Sequence, residues 1–179
     1  MEISELQPIL EAIIYVADEP VKPEQFKEVF PDESFDKIDS ALQKLVEEFN
    51  SRPGGMVIRE VAGGYRMTTR PEHHEYVRAY LKSKPGAKLS MAALETLAVI
   101  AYRQPVTLAE VLAIRGKKSS GAVKTLLEKK LVAIVGRKPA VGRPILYGTS
   151  REFLVHFGLK DLKDLPTLEE FAQMAGDQV

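Results

Sequence analysis

Few side chains in this 179-residue chain could do chemistry. It has no cysteine, which removes disulfides, thiolate zinc sites and cysteine nucleophiles together and leaves any metal to histidines and carboxylates. Of the three histidines, His73 and His74 are neighbours on an expected helix. Adjacent helical residues point about 100° apart, whereas a chelating pair needs i, i+4 spacing. His156 stands alone. No Gly-x-Ser-x-Gly, His-Glu-x-x-His or Gly-x-x-x-x-Gly-Lys-Ser/Thr run occurs, so acyl transfer, metallopeptidase and nucleotide-phosphate chemistry lack their usual carriers. Gly136-Arg-Lys138 and Gly142-Arg-Pro144 have the look of a phosphate grip, but they fall between two expected strands, where no helix dipole faces an anion. The expectation is a protein with no catalytic residues, no metal site and no cofactor.

Charge and apolar surface remain as means of function. Residues 1–82 carry 10 Lys+Arg against 16 Asp+Glu, and residues 83–179 carry 15 against 9, so a formal net charge of zero hides halves of −6 and +6. The basic half is densest from Arg103 to Arg143, where Glu110 and Glu128 are the only acids. Such a half either attracts an anionic partner or is a solvated lysine face. No apolar run reaches the roughly 18 residues of a membrane helix, and Met1-Glu-Ile-Ser-Glu5 is acidic where a secretory signal would be basic and then apolar. No membrane partner is expected, and the expected location is the cytoplasm.

The elements that must position these residues occur twice. Ser4-Glu-Leu-Gln7 has the form of a capping box ahead of Leu6, Ile9, Leu10, Ile13 and Ala17 at helical spacing. Pro23–Phe30 is a short second helix with Phe26, Val29 and Phe30 inward, and Ser34 opens a third through Ile38, Ala41, Leu42, Leu45, Val46 and Phe49. Met56–Val61 and Tyr65–Thr68 flank Ala62-Gly63-Gly64 as a hairpin. Thr69-Arg-Pro-Glu72 caps a closing helix with Tyr76, Val77, Tyr80 and Leu81. After a break at Ser83–Lys88, Ser90 caps a helix bearing Met91, Leu94, Leu97, Ala98 and Ala101, and Gln104-Pro-Val106 repeats Glu19-Pro-Val21. Thr107-Leu-Ala-Glu110 is a capping box for a helix with Val111 and Ile114 inward, and Ser119 opens the next, with Val123, Leu126, Leu127 and Leu131. Val132–Val135 and Ile145–Tyr147 bracket a hairpin loop, Gly136–Pro144, and Thr149-Ser-Arg-Glu152 caps the last helix. Three helices, a hairpin and a helix, repeated at about 80–85 residues, predict an α+β, mostly helical chain of two tandem winged-helix domains, each a helix-turn-helix with a β-hairpin. The expected boundaries are 1–82, a linker 83–88, a second domain 89–165 and a tail 166–179 that continues as a short helix from Thr167 or frays.

Several stretches resemble segregation and condensation protein B. In the first half these are Glu60-Val-Ala-Gly-Gly-Tyr-Arg66 and Thr69-Arg-Pro71. In the second they are Leu94-Glu-Thr-Leu-Ala-Val-Ile-Ala-Tyr-Arg-Gln-Pro-Val-Thr107, Ile114-Arg-Gly116, Val135-Gly-Arg-Lys138, Gly142-Arg-Pro-Ile-Leu-Tyr-Gly-Thr149, Phe157-Gly-Leu159 and Asp164-Leu-Pro166. The chain departs from that pattern at Lys117-Lys118, where a more mixed turn is usual, and at Lys130, where the family has glycine. The resemblance implies a homodimeric, nucleoid-associated subunit of the bacterial condensin, acting in chromosome condensation and partition during cell division. It implies a kleisin partner, segregation and condensation protein A, and through the kleisin the head of the structural-maintenance-of-chromosomes ATPase, with DNA met only indirectly or weakly. It assigns dimerisation to the first domain and the kleisin to the second. The partner-binding residues expected are Tyr102, Arg103, Arg143, Pro144 and Tyr147, at element ends or on the hairpin, although both tyrosines equally suit a core. A winged-helix DNA-binding transcriptional regulator is the alternative. Against it, the third helix of the first domain carries Asp36, Asp39, Glu47 and Glu48, which phosphates would repel. The second domain raises no such objection. A free-standing scaffold for an unknown peptide is a third reading.

Overall fold

The computed structural model describes residues 1–81, 89–116, 121–167 and 170. The expected linker, the Lys117-Lys118 turn, the opening of the helix at Ser119 and most of the tail lie outside them. The chain divides into two compact units: Met1–Pro85 with Gly158–Val179, and Gly86–Phe157. Residues 158–165, expected in the second domain, group with the first unit.

In the first unit, α1 (Ile3–Val16), α2 (Pro23–Val29) and α3 (Phe35–Ser51) bury Leu6, Leu10, Ile14, Phe26, Ile38, Leu42 and Leu45 in one cluster. Ser34 caps α3 as expected, its hydroxyl accepting the Lys37 N–H at 3.3 Å. The α1 cap differs from the Ser4 box: the helix starts at Ile3, which packs against the core, and the Glu5 carboxylate accepts the Glu2 N–H at 2.7 Å. Ile9 and Val29 are exposed rather than inward. The hairpin β1 (Met56–Val61) and β2 (Gly64–Thr69) pairs antiparallel from Met56↔Thr69 to Val61↔Gly64. Its turn residues Ala62 and Gly63 have φ of 51° and 71°, the left-handed pair that matches strand twist in a two-residue loop. Val21 exchanges both backbone hydrogen bonds with Tyr65 at 2.9 and 2.8 Å, which lays the segment after α1 beside β2.

Thr69 ends β2 instead of capping a helix. A 3₁₀ turn, Pro71–His73, leads into α4 (His74–Leu81), which buries no side chain. Tyr76, Tyr80 and Leu81 on it are 79%, 68% and 50% exposed. From the returning segment, the Leu159 carbonyl accepts the Ala62 N–H at 2.9 Å, and Lys160 pairs with Glu60 at 2.8 Å.

The second unit repeats the order with α5 (Met91–Arg103), β3 (Val106–Thr107), α6 (Leu108–Arg115), α7 (Gly121–Glu128), β4 (Val132–Arg137), β5 (Ile145–Thr149) and α8 (Arg151–Phe157). Its sheet runs β3-β5-β4. The buried face of α5 is Ala93, Thr96, Leu97, Ile100 and Ala101, so Met91, Leu94 and Ala98 face out. The helix is apolar on more than one side, and Thr96 sits inside because its hydroxyl donates to the Ala92 carbonyl at 2.7 Å. Ile114 is 55% exposed, another departure. The hairpin loop is shorter than expected because Gly136 and Arg137 pair with Leu146 and Ile145. Ser150 rather than Thr149 caps α8, accepting the Phe153 N–H at 3.2 Å. Lys130, just past α7, has φ of 57°, a left-handed backbone that glycine adopts more readily than lysine. Each unit is therefore three helices followed by a hairpin and a further helix, with the Pro-Val segment pairing to a hairpin tyrosine: Val21 to Tyr65 and Val106 to Tyr147. That is the winged-helix order, twice.

Candidate partner-binding surface

Ser90 begins α5, its hydroxyl accepting the Ala93 N–H at 3.2 Å, and Gln104 ends it. The Gln104 amide nitrogen donates to the Ala101 carbonyl at 3.0 Å. Its oxygen accepts from the Thr149 N–H at 2.8 Å and the Thr149 hydroxyl at 3.1 Å. The last turn of α5, which carries Tyr102 and Arg103, is thus clamped to the end of β5. A Cβ on Gly148 would lie 2.9 Å from both the Gln104 oxygen and a Val135 methyl, so only glycine lets this clamp close.

Past the cis Gln104-Pro105 bond, Thr107 opens α6 with the expected capping box. Its hydroxyl accepts the Glu110 N–H at 3.3 Å, and the Glu110 carboxylate accepts the Thr107 N–H and hydroxyl at 2.8 and 2.7 Å. The other Glu110 oxygen takes the Lys138 ammonium at 2.6 Å, tying the base of the hairpin loop to α6. Lys138, and then the Thr107 donors, hold the Glu110 carboxyl down at a pKa of about 2.

Of the five residues expected to bind a partner, Tyr102 (38% exposed) and Arg103 stand together at the surface end of α5. Tyr147 is buried in β5 between Val106 and Ile134 and is not part of that surface. Arg143 is exposed and Pro144 half-buried at the opposite end of β5. A strand rises about 3.3 Å per residue, so β5 separates these two patches by roughly 13 Å. The five do not form one cluster. Sequence reasoning missed Gln104 as the clamp; its one signal was its place between a helix end and the Pro-Val repeat.

In the first unit, α1, the end of α3 and the hairpin frame a groove of about 470 Å³ lined by Pro8, Ala12, Tyr15, Phe49, Met56 and Met67. The Glu11–Arg52 ion pair, at 2.8 Å, lies along it, with the Arg52 guanidinium 3.8 Å above the Phe49 ring. Among the described residues there is no group of three or more His, Asp or Glu placed to hold a metal ion, and no helix is long and apolar enough to cross a membrane.

These features define a protein of two winged-helix modules, each with large apolar side chains left exposed. Residues 8–168 match the family described as segregation and condensation complex subunit ScpB, and the chain belongs to that family. Segregation and condensation protein B of Syntrophotalea carbinolica is 49% identical over 97% of this chain and 87% of its own length. That of Desulforamulus reducens is 47% identical over 90% and 88%. Among solved structures, ScpB from Mycobacterium tuberculosis is 36% identical over 89% of this chain and 98% of its own, with a TM-score of 0.43. A structure described as a dimer of the ScpB N-terminal domain complexed with ScpA peptide covers 48% of this chain and 95% of its own, at 24% identity and a TM-score of 0.39.

Proposed function

We propose that this chain is a non-catalytic, nucleoid-associated cytoplasmic subunit of a bacterial condensin. In that role it forms a homodimer and binds a kleisin, and through the kleisin it joins the structural-maintenance-of-chromosomes ATPase in chromosome condensation and partition. Membership of the ScpB family supports the complex and its partners. The observation that carries the dimer is α4. An isolated helix of eight residues is marginal in water, and this one fully buries none of its side chains, so a second protomer packed over Tyr76, Tyr80 and Leu81 supplies burial that the described residues do not.

For the kleisin, the exposed Tyr102–Arg103 patch is the anchor: an aromatic and a guanidinium on a backbone held rigid by Gln104 are the residue types that dominate interfaces. Arg143 and Pro144, at the far end of β5, lie outside this contact. The groove at Tyr15 and Phe49 is the second candidate, since an amphipathic segment could lay apolar side chains into it. No comparison supports the transcriptional regulator.

Pull-down of the kleisin by the full chain separates the two surfaces. Tyr102→Ala/Arg103→Ala is expected to lose the kleisin by tenfold or more while keeping its melting temperature, and Tyr15→Ala to retain it. The reverse pattern moves the contact to the first unit, and retention by both variants removes both surfaces.

A further inference from the structure

The division into units sharpens the charge asymmetry seen in the sequence. Gly86–Phe157 holds 12 Lys+Arg against 4 Asp+Glu, a net +8 on 72 residues, with −8 on the rest of the chain. Three of the four acids are already engaged: Glu95 with Arg115 at 2.9 Å, Glu110 with Lys138 at 2.6 Å, and Glu128 with Lys124 at 3.9 Å. Among the described residues, no carboxylate lies within ion-pair distance of Arg103, Lys129, Lys130, Arg137 or Arg143.

Two of those arginines frame the tip of the second hairpin. The Arg137 guanidinium donates to the Arg143 carbonyl at 3.1 Å, and the loop closes in a four-residue turn in which the Ala140 carbonyl accepts the Arg143 N–H at 2.9 Å. Gly142, at φ 80°, takes the left-handed position of that turn. Val141 is left at the apex, fully exposed. Lys138, neutralised by Glu110, braces the loop from behind. The hairpin tip of the first unit offers no such surface, because Ala62-Gly63 has no charged side chain and its Ala62 N–H is taken by Leu159.

We infer that the second hairpin is a nucleic-acid contact: Arg137 and Arg143 meet the phosphates of duplex DNA on either side of a narrow groove into which Val141 points, without reading sequence. The charge alone would also suit an acidic polypeptide. The apex favours DNA, because acidic side chains alone would satisfy the guanidiniums and leave Val141 in water. The minor groove, about 6 Å wide, takes both parts: arginines sit in its concentrated negative potential and an apolar side chain wedges against a base step. This contact is independent of the kleisin reading, since it uses neither Tyr102 nor Arg103.

The test is binding of the full-length chain to a labelled duplex of mixed sequence, followed by fluorescence anisotropy between about 50 and 200 mM salt. The parent is expected to bind with a Kd of about 1–100 µM near physiological salt, as non-specific contacts do. Arg137→Glu/Arg143→Glu should weaken binding at least tenfold and lower the slope of log affinity against log salt by about 0.9 for each phosphate no longer neutralised. Because Arg143 has φ of 42°, a neutral pair, Arg137→Gln/Arg143→Asn, keeps a residue tolerant of that backbone; it should reproduce the slope change at an unchanged melting temperature. Val141→Ala should weaken binding severalfold with the parent's slope. The inference is overturned if the parent does not bind, or if the folded neutral pair binds as the parent does. It is also overturned if polyglutamate displaces the duplex at equal charge and Val141→Ala has no effect, which would make this an acidic-protein site. Kleisin pull-down with the same variants should be unchanged.

Discussion

Glu110 does three things with one carboxylate: it completes the α6 cap, accepts the Thr107 hydroxyl and holds Lys138. Its pKa of about 2 lies below its ordinary value of 4.5, so the stability it adds is fully present above about pH 4.5 and is lost as pH falls toward 2. In Glu110→Gln, thermal unfolding should therefore show a shallower loss of stability across that window than in the parent. Part of the slope will persist because Glu33, held down to about 2 by Lys37 and the N-terminal ammonium, titrates there too. Thr107→Ala removes the hydroxyl side of the same box and should cost about 1 kcal/mol at neutral pH with kleisin binding intact. An unchanged acid limb in Glu110→Gln would mean that these hydrogen bonds do not survive in solution. The Thr107 box was legible in the sequence because its donor and acceptor are three residues apart. The Lys138 contact was not, because it joins residues 28 apart that only the hairpin brings together.

At the scale of elements, the doubled Pro-Val turn was visible in the sequence, but its purpose was not. In both units it lays an extended segment against the second hairpin strand, and in the first a glycine beside the paired tyrosine allows the approach. A Cβ on Gly64 would come within 2.9 Å of the Pro20 and Val21 carbonyl oxygens, which are backbone and cannot swing aside. Gly64→Ala should therefore destabilise the chain by about 1–3 kcal/mol in denaturant unfolding, and a neutral result would show that the Val21–Tyr65 pairing gives way easily. Periodicity and caps found each α-helix of the described residues, yet grouped exposed positions of α5 with its buried ones. Met91, Leu94 and Ala98 are as apolar as the residues that are buried, and a helix apolar on two sides carries no signal of which side packs. The candidate surface was legible to the same degree: Tyr102 and Arg103 follow from their place at a helix end, while the burial of Tyr147 and the separation of Arg143 needed the strand register.

For the whole molecule, α4 shows most plainly what an amphipathic pattern leaves open: it marks a helix, but among the described residues no side chain of that helix is fully buried. Tyr76→Glu/Tyr80→Glu introduces charge where no core exists to disturb. It should convert the dimer to a monomer in sedimentation at tens of micromolar while leaving the melting temperature of the monomer itself within a few degrees; a variant that remains dimeric places the interface elsewhere. The segment from Gly158 has a different consequence, one of timing. It belongs to the first unit and is contiguous in sequence with the end of the second, so the second unit is an insertion within the first. On the ribosome, where amino-terminal parts generally fold first, the Ala62 N–H and the Glu60 carboxylate have no Leu159 or Lys160 to meet until synthesis has passed the whole second unit. The first unit to begin folding is the last to be finished.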